Sequence, residues 1–267
     1  MSEARVTVLR VGLCLSSFLS PGPLAGQYYR LIPTHHPSVA LELAKPFMGG
    51  NYGTLTSVLE ARVSLPLAER AALTGQVAVA HATAGRRSSS TTIARPALGV
   101  TVEGPSLLEA ELVVGLPLRW EKGDDDYATD VAILSDRDRR ERFTRPRWTA
   151  AVTGVARRPL GTQGVIGLRV GGLVLFPRAG STTDLDVRYG LFVRLRPAAS
   201  FDVGTEFHGT ARATGPAASF EQRSSHTITF LLSPTRLPGA PELLLHLPID
   251  AGVEEYVQGM IGLRLSF

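Results

Sequence analysis

A two-residue alternation of apolar and polar side chains runs along this chain from residue 37 to its end. In the stretch LLEAELVVGLPLRW, one face carries Leu108, Ala110, Leu112, Val114, Leu116, Leu118 and Trp120. The other face carries Glu109, Glu111, Val113, Gly115, Pro117 and Arg119. In DLDVRYGLFVRLRP, Leu185, Val187, Tyr189, Leu191, Val193 and Leu195 alternate with Asp184, Asp186, Arg188, Gly190, Phe192, Arg194 and Arg196. A helix, with about 3.6 residues per turn, would mix these two sets, whereas the pleat of a strand separates them. The pattern predicts twelve strands, at 37–47, 54–67, 73–84, 91–103, 106–119, 147–158, 164–177, 184–196, 200–212, 219–232, 241–249 and 254–267. No linker divides them, so residues 27–267 read as one all-β domain.

Composition agrees with many short connections: the chain holds 27 glycines and 18 prolines, residues that turns favour. Pro66, Pro117 and Pro248 each close an alternating run. Having no N–H for the ladder, they predict strand ends or bulges. The first 26 residues differ from the rest. Arg5 and Arg10 lead the apolar run VGLCLSSFL, and small residues follow to Ala25 and Gly26. This is the pattern of a cleaved secretory signal, against the alternative of a first strand VTVLRVGLCL. Cys14, the one cysteine, lies within it, so the remaining domain is expected to fold without disulfides.

Alternation alone leaves open which face is the inside. A soluble sandwich or lipocalin-like barrel buries the apolar face, while a membrane barrel turns it toward lipid. No stretch approaches the about 18 apolar residues of a membrane helix, and mean hydropathy is +0.09. The predicted strands are long enough to cross a bilayer at a tilt, and their polar faces carry glycine and charges of both signs. The connections also alternate. MGGNYG, GRRSSST and residues 120–146 fall on one side, while AERAA, GP, PLGTQ and PAA fall on the other with the longer SPTRLPGAP. The net charge of +4 comes from scattered arginines, with Lys45 and Lys122 the only lysines. No basic stripe with interleaved aromatics is present, which argues against nucleic acid as a partner.

The last segment, VQGMIGLRLSF, places Val257, Ile261, Leu263, Leu265 and Phe267 on one face and ends on the aromatic ring. It resembles the assembly signal of bacterial outer-membrane β-barrel proteins. The resemblance implies a transmembrane antiparallel up-and-down β-barrel of about twelve strands in the outer membrane. It also implies two partners, outer-membrane lipid and the barrel-assembly machinery that reads this strand, and no cofactor. The final strand must then pair with the first, SVALELAKPF, because open edges in lipid leave backbone groups unsatisfied. Val39, Leu41, Leu43 and Phe47 would face lipid there, and Glu42 the interior. Trp120 and Trp148 flank the long loop at the expected outer interface, where amphipathic rings are favoured.

The expected lumen lining is Glu60, Arg62, Arg95, Glu109, Glu111, Arg169, Asp184, Asp186, Arg188, Arg194, Arg196, Asp202, Glu206 and Arg264, with Glu42 and His208 beside them. Such a charged interior fits a porin-like channel or transporter for a small solute, and the arginines of residues 184–196 favour anions. The alternative is a structural or adhesion barrel whose charges pair and fill the lumen. The loop WEKGDDDYATDVAILSDRDRRERFTRPRW has room for a short helix within ATDVAILSDRDRRERF, and the simpler expectation is a solvated cap outside the pore. Asp124, Asp125 and Asp126 are consecutive and lack the alternate spacing of a calcium loop. The histidines show no metal-ligand spacing. SSHT (224–227) invites comparison with outer-membrane phospholipases, but that motif needs a serine two places after the histidine, where Ile228 stands, and Asn51 is the only asparagine. No enzymatic activity is expected.

Overall fold

The computed structural model describes residues 36–48, 56–84, 88–118, 120–122, 127–135, 143, 147–176, 183–215, 220–237, 241–250 and 257–267. The expected secretory leader and the Asp124–Asp126 run lie outside them. Fourteen strand segments form one sheet: β1 (Ser38–Met48), β2 (Ser57–Ala68), β3 (Ala71–Ala84), β4 (Ser88–Ile93), β5 (Ala97–Glu103), β6 (Leu108–Gly115), β7 (Trp120–Lys122), β8 (Thr149–Leu160), β9 (Gly164–Leu175), β10 (Asp184–Ala198), β11 (Phe201–Arg212), β12 (Ser224–Pro234), β13 (Glu242–Pro248) and β14 (Val257–Ser266). Three helical pieces accompany them among the described residues, a 3-10 turn at Pro105–Leu107, α1 (Tyr127–Ser135) and the single turn α2 (Phe220–Arg223).

β3 pairs with β5 through its first half and with β4 through its second. β5 in turn pairs with β6, and β4 with β7. Each couple is therefore one interrupted stave, and fourteen segments make twelve staves. The interruptions are chemical. Pro96 separates β4 from β5, and Pro117 separates β6 from β7. Pro66 adjoins the register shift between β2 and β3, and Pro248 is the last residue of β13. The one strand start that differs materially from the alternation is that of β12. There Phe220–Arg223 coils into a helical turn before Ser224 enters the ladder.

The barrel closes. β1 pairs antiparallel with β14 from Ala40↔Ser266 to Met48↔Val257. Phe267 continues this ladder: its N–H donates to Val39 O at 2.8 Å, and its carbonyl accepts the Val39 N–H at 3.0 Å. Closure removes the edges that lipid would penalise. Residues 69–70, 161–163 and 199–200 make tight turns at one end, with Gly161 at a φ of +62°. Both strand termini, Ser38 and Ser266, lie at this end. The longer connections lie at the other.

Burial settles the direction of the faces. On β6, Glu109 and Glu111 are each 7% exposed, while the adjacent Leu112 is 49% exposed. Leu43, Leu98, Val152, Leu168, Leu191, Phe230 and Leu263 are likewise exposed. The apolar face is the outer wall of the barrel and the polar face its interior, the distribution of a membrane barrel.

Candidate functional site in the barrel lumen

On their strands Glu60, Arg62, Glu109, Glu111, Asp184, Asp186, Arg188, Arg194, Arg196, Asp202 and Glu206 are buried polar residues or sit at even spacing from one. Arg169 alternates with the exposed Leu168 and Val170, Arg264 follows the exposed Leu263, and Arg95, between β4 and β5, is itself buried. One wall carries a continuous ion-pair network. The Arg264 guanidinium on β14 binds Glu42 of β1, with Nε 3.1 Å from Oε2, and approaches Glu242 of β13 at 3.5 Å. Glu242 accepts from Arg194 of β10 at 3.1 Å. Arg194 also lies 3.2 Å from Asp202 of β11, which Arg196 grips in fork geometry at 2.6 and 3.1 Å. Opposite charges on neighbouring strands attract, and two-pronged Arg–carboxylate bonds are the stronger kind. Glu242 is 1% exposed, so the network is packed as well as paired.

The remaining lining residues form separate pairs on other strands. Arg157 of β8 pairs with Glu109 of β6, with Nη2 2.8 Å from Oε2. Arg62 lies 3.8 Å from Glu60 on β2. Arg147 holds Asp184 at 3.0 Å and Arg212 lies 3.7 Å from Asp186, near the loop end. Arg95, 2% exposed, donates to the Arg147 carbonyl. Glu206 on β11 is buried against Gly190. Arg169 on β9 and Arg188 on β10 also face inward, opposite Gly190 and Gly171 respectively. Because Arg194 and Arg196 are matched by Asp202 and Glu242, the arginine row presents little net positive charge.

Two members of this lining escape a reading of the alternation. Glu242 opens PELLLHLPI, and only its spacing from Leu243, Leu245 and Leu247 marks it as inward. Arg157 is followed by Arg158, and nothing in the doublet tells which one faces the lumen.

The long loop departs from the solvated-cap expectation. α1 lies inside the barrel, against β3, β4 and β14. Its Ala128, Val131 and Ala132 are buried with Phe143 against Ala44, Val58, Ala78, Ala80, Ala82, Ala94 and Met260. The Ala128 N–H donates to Ser90 Oγ at 2.8 Å. The physical reason is a row of small inward residues on β3, which leaves room for a helix and offers it an apolar surface to bury. The arginines that follow α1 in sequence lie outside the described residues.

A second polar group stands on the outer face. His226 of β12 receives the Tyr189 hydroxyl at 2.6 Å on Nε2, and its Nδ1 lies 2.7 Å from Asp250. Asp250 also accepts the His226 backbone N–H. Phe207 stacks on the ring at 5.5 Å between centroids. Asp and His are oriented as in a nucleophilic triad, but the far nitrogen is taken by a phenol. Ser224, on the same face, donates instead to the Phe220 carbonyl at 2.8 Å. No serine is therefore activated here. Among the described residues no group of three His, Cys, Asp or Glu is arranged to hold a metal.

At the outer interface Trp148 is exposed beside the head of β8. Trp120 opens β7, and its ring lies outside the described side chains. On β14, Ile261 and Leu263 face outward with Leu265, Val257 begins the strand, and the Phe267 ring is exposed at its end.

No family model matches the sequence, and no curated protein matches it. Among solved structures, the COG4313 outer membrane channel from Pseudomonas putida F1 superposes with a TM-score of 0.60 at 12% identity, covering 91% of this chain and 98% of that one. LpxR from Salmonella typhimurium reaches a TM-score of 0.49 at 10% identity, covering 86% of this chain and 99% of that one. The KdgM porin reaches 0.46 at 11%, again covering 86% and 99%. The last two share a general barrel shape only. The chain thus has the closed, twelve-stave antiparallel barrel fold of bacterial outer-membrane proteins.

Proposed function

We propose that this protein is an outer-membrane pore passing a small hydrophilic solute through a lumen narrowed by α1. The observation that carries the reading is the inverted distribution of polarity: large apolar side chains cover the outside and charged ones line the inside. That arrangement has a cost in water and a use only across a bilayer. The fold shared with a channel of similar length supports it. On this reading residues 1–26 are removed on export and lipid contacts the Leu/Val face. The assembly machinery recognises Val257, Ile261, Leu263, Leu265 and Phe267. The reading assigns no catalytic step to the chain.

The test is conductance of the purified barrel in planar bilayers, beside a variant lacking residues 127–135. The expected result is small, discrete steps for the full chain and larger ones for the deletion. Silence from both overturns the pore reading. A second reading, a barrel filled by its own charges and serving through its loops, is favoured by the depth at which Glu242 and Arg194 are buried. Silence from both with normal membrane insertion is its expected result.

A further inference from the structure

The ion-pair network occupies the wall formed by β10 to β14 and β1. The opposite wall, β3 to β8, is built differently. Glu111 of β6 points inward with Thr101 of β5 directly across from it in the ladder. Thr74 of β3 is the next hydroxyl along, opposite Gly99 of β5. A Cβ at Gly99 would lie 2.7 Å from Thr74 Oγ1, so the missing side chain leaves room for that hydroxyl over the inner surface of β5, one inward position from Thr101.

These three groups share one property. Glu111 Oε1, Thr101 Oγ1 and Thr74 Oγ1 are all buried and have no hydrogen-bond partner. Thr74 and Thr101 are 0% exposed and Glu111 7%. Buried polar atoms in a folded protein are paired with few exceptions, and an unpaired carboxylate oxygen is among the costlier ones. Glu103 and Glu109 stand opposite each other in the adjacent row. The Arg157 charge is engaged by Glu109. Arg188 stands in the same row as Glu111, but Thr153 and Gly171 intervene. Arg169 lies in the Glu109 row, beyond Val155, and among the described residues no side chain hydrogen-bonds Glu111 Oε1.

We propose that Glu111, Thr101 and Thr74 form a binding site for a small monovalent cation or the ammonium head of a solute, and that this site biases the lumen toward cations. One unpaired carboxylate and two hydroxyls suit a single positive charge; calcium takes more oxygens, several of them charged. The preference is opposite to that read from the arginine row, because those arginines are neutralised and this carboxylate is not. The conduction part of the proposal rests on the pore reading; the binding part does not.

The test uses the full-length barrel in detergent and in planar bilayers. Thallium(I) binding is followed by its NMR signal in the wild type, Glu111→Gln and Thr101→Val, each checked for heat-modifiable gel mobility as a sign of folding. Saturable binding is expected in the wild type, weakened about tenfold or more by Glu111→Gln, since hydrogen bonds and contacts to a charged group carry that much. Thr101→Val is expected to weaken binding less while leaving stability equal or higher, because it removes an unpaired hydroxyl. Competition by methylammonium assigns the site to ammonium-headed solutes; indifference to it assigns the site to the bare ion. In a potassium chloride gradient, the wild-type reversal potential is expected on the cation side, moving toward zero in Glu111→Gln. Absence of saturable binding in the wild type, or equal binding in Glu111→Gln, overturns the proposal even if the pore conducts. Binding without conductance keeps the site and overturns the pore reading instead.

Discussion

The lumen has two halves written on the same strands. Toward the tight turns, β1, β2 and β14 present Glu42, Glu60 and Arg264. Toward the loops the same inward faces present Ala44, Val58 and Met260, and β3 changes from Thr74 and Gln76 to Ala78, Ala80 and Ala82. The first half is held by charge pairing, the second by apolar packing of α1. Inward in a membrane barrel therefore does not mean polar. It means whatever the lumen holds at that depth, here an ion-pair network below and a small helix above.

The largest expected effect lies in the charged half. Arg264→Ala would leave Glu42 and Glu242 facing each other without their shared cation. Removing one partner of a buried pair costs about 3–5 kcal/mol, read as a lower urea midpoint for unfolding from lipid vesicles. An unchanged midpoint would mean water satisfies the network and the two halves differ less than their geometry says.

In the apolar half, Val131→Asp would place a charge against Ala78 and Ala80. Burying it unpaired is costly, but the helix can leave the lumen. The expected outcome is larger single-channel steps and new protease cleavage in residues 120–146, with a smaller loss of barrel stability than from Arg264→Ala. Loss of stability without a change in conductance would show that α1 does not narrow the path.

Gly167→Ala probes a second, smaller apolar patch, where Phe192 packs with Val155 and Val165. A Cβ there would collide with the Phe192 ring and with the Ala156 carbonyl. Overpacking of this kind costs about 1–3 kcal/mol, measurable by the same urea titration. The smallest effect belongs to Phe267→Ala. The backbone bonds to Val39 survive the substitution and the ring is half exposed, so the loss is about 1 kcal/mol or less. Yield of inserted barrel should fall more than that, if this ring is part of an assembly signal. Equal insertion of both proteins would rule that role out.

Much of the fold was legible. The alternation located all twelve staves to within a few residues, and the three prolines marked a bulge, a break and an end. The faces of β6 and β10 could be assigned by inspection because one side is charged. β3 could not be read in this way: in its second half the more polar face, Val79, His81 and Thr83, is the outer one and the alanines Ala78, Ala80 and Ala82 face inward, the reverse of the pattern elsewhere. The long loop is also silent on its own about which way it turns. ATDVAILS is apolar enough to pack but gives no sign of what receives it.

The sequence by itself determined the strands, their two faces and the demand for closure, because a period of two and the need to satisfy every backbone group in lipid are local or universal constraints. The tertiary structure alone decided which charges meet. Glu242 reaches Arg194 from a strand three places away, and Glu42 reaches Arg264 across the closure of the chain ends. Those pairings depend on the register and curvature of the barrel, which no single strand encodes. By the same token, only the folded lumen reveals that Glu111 buries a carboxylate oxygen without a hydrogen-bond partner.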